Sequence, residues 1–152
     1  SGTVAGALAF SGELTAGRFH RSFSRAGPDA LTVPLQALSI QRVQTSTQDG
    51  FAVSVLLLAT AREVTQLSLA FNTSPPVRLS CGTTAGCSTS GNVMTLDVAP
   101  LFTQWFNSDS TYGGLALLRL PLNIEGGAVK GTVAVTLRNT KGQSNSQSFA
   151  LP

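Results

Sequence analysis

The chain has 152 residues, a length that suits one domain with a hydrophobic core large enough to need no stabilising metal. Hydrophobic residues make up 42% of it and charged residues only 11%, far below the ~25% of an average soluble domain. The formal net charge is +3, but only Arg18, Arg21 and Arg25 cluster, which argues against nucleic-acid binding. The sequence has no apolar run of about 18 residues, so no membrane insertion is predicted.

Residues 1–33 begin with a regular alternation of apolar and small or polar side chains. The period of two predicts one long strand, or two with a kink near Gly12. The residues expected to form its apolar face are Val4, Leu8, Phe10 and Leu14. Phe19 and Phe23 extend the pairing pattern, whereas 24–34 is rich in Gly and Pro and is expected to be a connector. A boundary between two parts of the chain, 1–33 and 34–152, is therefore predicted.

Short alternating segments bounded by turn residues recur through 34–152. Strands are predicted at 38–43, 51–58, 66–71, 77–81, 93–98, 115–124, 129–137 and 146–151. The strand at 51–58 is apolar on both faces and should be central, while Pro121 marks its strand as an edge or as the site of a bulge. Asp49 and Gly50 are suited to a tight hairpin turn. The pattern predicts an all-β chain, an immunoglobulin-like β-sandwich of about seven strands with an extra N-terminal strand.

One short helix interrupts the strands, at 99–106. Asp97 is placed to cap its N-terminus. Leu101, Phe102, Trp105 and Phe106 are spaced three to four residues apart and are expected to share one side. The side chain of Trp105 is therefore predicted to pack in the core rather than to bind a ligand.

Two cysteines, Cys81 and Cys87, are separated by a short loop that contains two glycines. We predict a disulfide between them, which would stabilise the fold by about 2 kcal/mol in a loop-entropy model. A disulfide is typical of oxidising compartments, so an extracellular or cell-surface location is expected. The alternative is a pair of free thiols in the cytosol.

Three stretches of the sequence resemble a known family: AREVTQL at 61–67, LFTQWF at 101–106 and KGTVAVTLRN at 130–139. They are similar to a module found near the C-termini of large secreted bacterial proteins. In that family a Ser/Thr-Arg-Glu/Asp-Val/Met-Thr-Gln turn, a Leu-Phe-x-x-Trp-Phe/Tyr helix and a closing Val-x-Val-Thr-Leu-x-Asn strand recur. The resemblance covers 34–152 and implies an immunoglobulin-like or fibronectin-like surface module without assigning an activity. GTVAGAL at 2–8 resembles the last strands of a preceding Ig-like repeat.

No residue pattern favours catalysis or a cofactor. His20 is the only histidine and lies in a connector-like region, and most of the carboxylates fall at turns, where backbone reasons explain them. We therefore predict no catalytic, metal-binding or cofactor-binding site. Tyr112, on a loop rich in Ser and Gly, is a candidate contact for a glycan, and Asn72 begins a formal glycosylation sequon.

These observations predict a non-catalytic extracellular structural module, a subunit of a surface protein or filament. The N-terminal strand is expected to add to the sheet of a partner, which would be another copy of the chain or a neighbouring module. If the strand folds onto its own domain, the chain is a monomeric module of a larger protein. A different hypothesis is a carbohydrate-binding or adhesion module that uses Tyr112.

Overall fold

The computed structural model describes residues 6–8, 10–25, 31–34, 37–47, 51–108, 114–122 and 129–152. The chain is all-β with one short helix, and every strand pairing in the described part is antiparallel. The strands are β1 (Gly6–Leu8), β2 (Phe10–Ala16), β3 (Phe19–Arg25), β4 (Leu31–Val33), β5 (Ser39–Ser46), β6 (Ala52–Leu58), β7 (Gln66–Ser74), β8 (Cys87–Ser90), β9 (Val93–Asp97), β10 (Leu115–Pro121), β11 (Lys130–Asn139), β12 (Gly142–Gln143) and β13 (Gln147–Ala150). The helix α1 spans Ala99–Ser108.

The N-terminal part forms a two-stranded ribbon, in which β2 pairs with β3 and β1 pairs with β4. We call β1 to β4 the ribbon. Its hairpin turn is Gly17 and Arg18, and Gly17 has a φ of +61°. Glycine at the first position of a two-residue turn allows the positive φ that matches the twist of the flanking strands. The segment predicted as one strand, or as two with a kink near Gly12, forms β1 and β2, which are divided ahead of Phe10 rather than near Gly12. The connector predicted at 24–34 instead contains the end of β3 and the whole of β4.

A three-stranded sheet has the order β10-β6-β5. The central position of β6 and the edge position of β10, both predicted from the sequence, are confirmed within the described residues. β5 carries an irregularity between Ile40 and Arg42, where its register against β6 shifts. The predicted turn at Asp49 and Gly50 lies outside the described residues.

A larger sheet has the order β12-β11-β7-β9-β8, and β13 pairs with β11 on the same side as β12. The strand predicted at 77–81 is wrong, since this segment is irregular. It follows Pro75 and Pro76 and leads into turns in which the N–H of Thr84 donates to the carbonyl of Cys81. The two prolines have no N–H to donate to a neighbouring strand, and the tight turn follows within a few residues, so this segment does not pair as a strand.

The two sheets bury one hydrophobic cluster, which contains every described buried hydrophobic residue except Ala52. Its members alternate along the strands, as the period of two requires. Those with the least exposed side chains are Leu38, Val53, Val55, Leu57, Val64, Leu67, Leu69, Val133, Val135 and Leu137. The buried hydrophobic residues that the structure describes lie after the ribbon, from Leu38 onward.

The helix α1 covers part of this cluster with Phe102 and Phe106, which are both buried. The Asp97 carboxylate accepts a hydrogen bond of 3.0 Å from the N–H of Ala99, which confirms the predicted cap. Leu101 is 55% exposed, so it lies away from the packed side that was predicted for it. No helix in the described part of the chain has the length and apolar character needed to cross a membrane.

Candidate functional site

The predicted assembly residues lie on the ribbon, as far as the structure describes them. Leu8 is the last residue of β1, and Phe10 and Leu14 belong to β2, whereas Val4 lies outside the described residues. The register pairs Leu8 with Leu31, and Leu14 with Arg21. The pairing partner of this segment is thus its own continuation, residues 19–33.

Register separates the residues of the β2–β3 hairpin into two faces of different character. The positions that share one face are those of Phe10, Gly12, Leu14, Ala16, Phe19, Arg21, Phe23 and Arg25. The other contains Ser11, Glu13, Thr15, His20, Ser22 and Ser24, all of them exposed. On this polar face the Glu13 carboxylate lies 3.6 Å from Nδ1 of His20. The hairpin is therefore amphipathic in sequence, and its polar face is in solvent.

The backbone of β2 presents an open edge on the side away from β3, since within the described residues β2 has no second partner strand. In a two-residue turn the flanking residues, here Ala16 and Phe19, form a hydrogen-bonded pair. Because such pairs alternate with non-hydrogen-bonded ones, the N–H and C=O groups of Ser11, Glu13 and Thr15 point outward from the hairpin. These groups are available to another strand.

The three sequence stretches that carry the family resemblance meet in space. The Arg62 guanidinium donates to the carbonyl of Phe106 in the last turn of α1, and it also lies 5.6 Å from the centre of the Phe106 ring. A cation at a helix C-terminus is favourable because the carbonyls there carry partial negative charge. The N–H and hydroxyl of Thr65 both donate to the carbonyl of Arg138, at 2.8 and 3.0 Å.

Glu63 extends this junction to the turn after β11. Its carboxylate accepts hydrogen bonds from the hydroxyl and the N–H of Thr140, at 2.6 and 3.0 Å. The hydroxyl bond and then the N–H bond favour the charged form and lower the pKa of Glu63 below its ordinary value of 4.5. Partial burial opposes this shift, and the charge of Lys141 adds to it. The roles found for Arg62, Glu63 and Thr65 are structural, and the sequence pattern alone did not assign them.

The disulfide between Cys81 and Cys87 is confirmed, with Cα atoms 5.6 Å apart. It closes the irregular loop that precedes β8, and residues 82–86 within the loop are exposed. Gly86 has a φ of +74°, and a Cβ atom there would lie 2.8 Å from the Cβ of Asp97. Glycine is therefore required where the loop passes the end of β9.

The outcomes differ for the predicted glycan contact, for the tryptophan predicted to pack in the core and for the glycosylation sequon. Tyr112 lies outside the described residues. Trp105 is half-buried, and its ring lies edge-on to Phe106 with centroids 5.0 Å apart, so its ring packs in an aromatic group, as predicted. Asn72 is exposed on β7, opposite Thr132 of β11, and its glycosylation stays a prediction.

Within the part of the chain that the structure describes, no group of three or more His, Cys, Asp or Glu residues is arranged to hold a metal ion. No family model matches this chain, and neither a curated protein nor a solved structure matches it. The ribbon, with its amphipathic register and open edge, is therefore the best candidate for a functional surface on physical grounds.

Proposed function

We propose that the chain is a non-catalytic extracellular structural module, a subunit of a surface protein or filament, that assembles through its N-terminal ribbon. The ribbon adds to a sheet of another copy by backbone hydrogen bonds along the outer edge of β2. The observation that carries this proposal is the outward backbone of Ser11, Glu13 and Thr15, which has no partner strand among the described residues.

An isolated two-stranded ribbon is marginally stable at best in water, which favours a partner for it. The described members of the core run from Leu38 to Leu151 and lie outside the ribbon. One described link joins the ribbon's end to the body, the 3.0 Å bond from the Thr60 hydroxyl to the carbonyl of Pro34. A body that holds the described core and a ribbon whose described strands pair only with each other support this proposal.

An immunoglobulin-like sandwich is the architecture we propose for the body, on the basis of strand order. The order β10-β6-β5 places the strands as E, B and A are placed in such domains, and β13, β11 and β7 take the places of G, F and C. The body departs from that pattern at β8 and β9, since the later strand β9 lies next to β7. The extracellular location rests on the disulfide and on the low content of charge.

The proposal is tested by removing one outward donor from β2. Thr15→Pro eliminates the N–H that faces away from β3, and Thr15→Val keeps that N–H while removing the hydroxyl. We expect the wild-type chain and Thr15→Val to assemble, and Thr15→Pro to associate roughly five- to a hundredfold more weakly, because an unmade backbone bond costs about 1 to 3 kcal/mol.

Light scattering and negative-stain imaging of the purified chain measure this effect, and circular dichroism checks that each variant is folded. A wild-type chain that stays monomeric at high concentration contradicts the proposal. So does a Thr15→Pro variant that assembles as the wild type does.

A further inference from the structure

The four sheet edges of the body differ in how well they are protected from strand addition. β8 has four residues, of which the last three are exposed Ser or Thr, and β12 and β13 have two and four residues. β5 is longer, but it is irregular at Ile40, whose N–H and C=O are both bonded to the Asn145 side chain at 2.8 and 3.0 Å. The edges at β8 and at β12 and β13 are therefore short, and the edge at β5 is covered at Ile40.

Within the described residues, the edge strand β10 has no partner strand on its outer side. It has seven residues, as β2 does, and Leu115 and Leu117 on it are 46% and 66% exposed. Leu56 and Leu58 of β6, which pair with Leu117 and Leu115, are half-buried beside them. The outer face of this sheet therefore carries an apolar patch at its open edge.

The direction of the β10 backbone follows from bonds at both ends of the strand. The N–H of Ala59 donates to the carbonyl of Gly114 at 2.7 Å, and the N–H of Leu122 donates to the carbonyl of Phe51 at 2.9 Å. Residues whose backbone groups face β6 alternate along β10 with residues whose groups face away. Counting from either of these two bonds gives the same assignment. The backbone groups of Leu115, Leu117, Arg119 and Pro121 point away from β6, and Pro121 alone lacks an N–H to offer.

The geometry points to β10 of a second copy as the acceptor for β2, in an antiparallel register that places Glu13 opposite Arg119. In this register the outward groups of Thr15 meet those of Leu117. The face that holds Gly12, Leu14 and Ala16 then continues the inner face of the sheet, beside Leu120, Leu118 and Ala116. Ala116 and Leu118 are buried in the core, so the apolar positions of β2 extend it.

Charge selects both the register and the strand of the ribbon that docks. Glu13 is the only acidic residue of β2, and Arg119 is the only charged residue of β10. A slip of two residues in either direction would place Glu13 opposite Leu117 or Pro121 and lose the ion pair. β3 contains Arg21 and Arg25 and no acid, and its register puts both arginines on the face that would continue the inner face of the sheet. Docking by its outer edge would therefore bring charge beside the buried Leu118 instead of an acid opposite Arg119.

This inference rests on the proposed function and is tested by charge reversal in the full chain. Glu13→Arg and Arg119→Glu are made singly and together, and Arg42→Glu on the opposite edge of the same sheet is the matched control. Each single reversal should weaken assembly about tenfold, whereas the double variant and Arg42→Glu should assemble as the wild type does.

An equimolar mixture of the two single variants separates contacts between molecules from contacts within one. Between molecules, each mismatched surface finds its complement on the other variant, so light scattering should show that the mixture assembles. If the ribbon folds onto β10 of its own chain, mixing the two variants does not restore the lost contact. A mixture that fails to assemble would overturn the inference.

Assembly that is unchanged in both single variants also overturns it while leaving ribbon-mediated assembly intact, because the acceptor is then another edge. A loss that neither the double variant nor the mixture reverses overturns the pairing of Glu13 with Arg119. A wild-type chain that does not assemble overturns the inference together with the proposed function.

Discussion

In both the ribbon and the two-sheet body, apolar residues alternate with polar or small residues along the strands. This alternation has different consequences in the two regions. In the body, Leu67 and Leu69 of β7 are buried, because a second sheet covers them. In the ribbon, the described polar face lies in solvent and the strands pair only with each other within the described residues. The difference teaches that alternation specifies a strand and its faces, while burial depends on whether a second layer is present.

The largest expected effect comes from breaking the body at its centre. Leu67→Ala removes a fully buried side chain and should lower the free energy of unfolding by about 2 to 5 kcal/mol. Ser22→Ala, at an exposed position of the ribbon, should change it by less than about 0.5 kcal/mol. Urea unfolding followed by circular dichroism measures both values. Equal losses in the two variants would mean that the ribbon is as integral to the fold as the body.

A smaller effect is expected where a side chain joins the two sheets. Asn145, which follows β12, bonds both backbone groups of Ile40 on β5. Asn145→Ala removes the hydrogen-bond partner of both groups, which belong to the buried Ile40. The free energy of unfolding should therefore fall by about 1 to 2 kcal/mol. Asn145→Asp keeps an acceptor for the N–H and should lose less. If the alanine variant unfolds as the wild type does, the bridge contributes nothing to the joining of the sheets.

The smallest expected effect depends on pH and concerns Glu63. Because the pKa is lowered in the folded state, the carboxylate's contribution is complete above its ordinary value of 4.5 and is lost as the pH falls through the lower folded value. The difference in unfolding free energy between the wild type and Glu63→Gln should be below about 1 kcal/mol at neutral pH and vanish in strong acid.

Thermal unfolding of both proteins as a function of pH measures this difference. Thr140→Ala removes one of the two donors and should reduce the pH dependence of the difference. A constant difference across the range would show that the Glu63 carboxylate acts in some way other than through its charge.

Much of the body could be predicted from the sequence, because its signals are local. The apolar character of β6 on both faces placed it at the centre, Pro121 placed β10 at an edge, and the loop between the cysteines indicated the disulfide. Each of these follows from residue types within a few positions of one another. The ribbon's turn is also local, but Gly17 followed by Arg18 is a weaker signal than Asn-Gly, and no turn was predicted there.

The junction of Arg62, Glu63 and Thr65 could not be predicted, because its partners lie far away in the sequence. Thr65 and Arg138 are separated by 73 residues, and Glu63 and Thr140 by 77. Polar residues in a turn are expected for local reasons, so nothing in the pattern distinguishes a distant partner from water. The exposed leucines of β10 escaped notice for a similar reason, since exposure is decided by what packs outside the sheet.

The conformation of Arg62 also limits how far a single substitution at this position can stabilise the protein. It is the one residue other than glycine with a positive φ in the described part of the chain, at 52°, a conformation that costs about 1 kcal/mol for an L-residue with a side chain. Glycine would relax the backbone, but it would remove the guanidinium from the end of α1. An engineer who optimised this turn alone would choose glycine, and one who optimised the helix would keep arginine. A single substitution at this position can relieve the backbone strain or keep the contact with the end of α1, but it cannot do both.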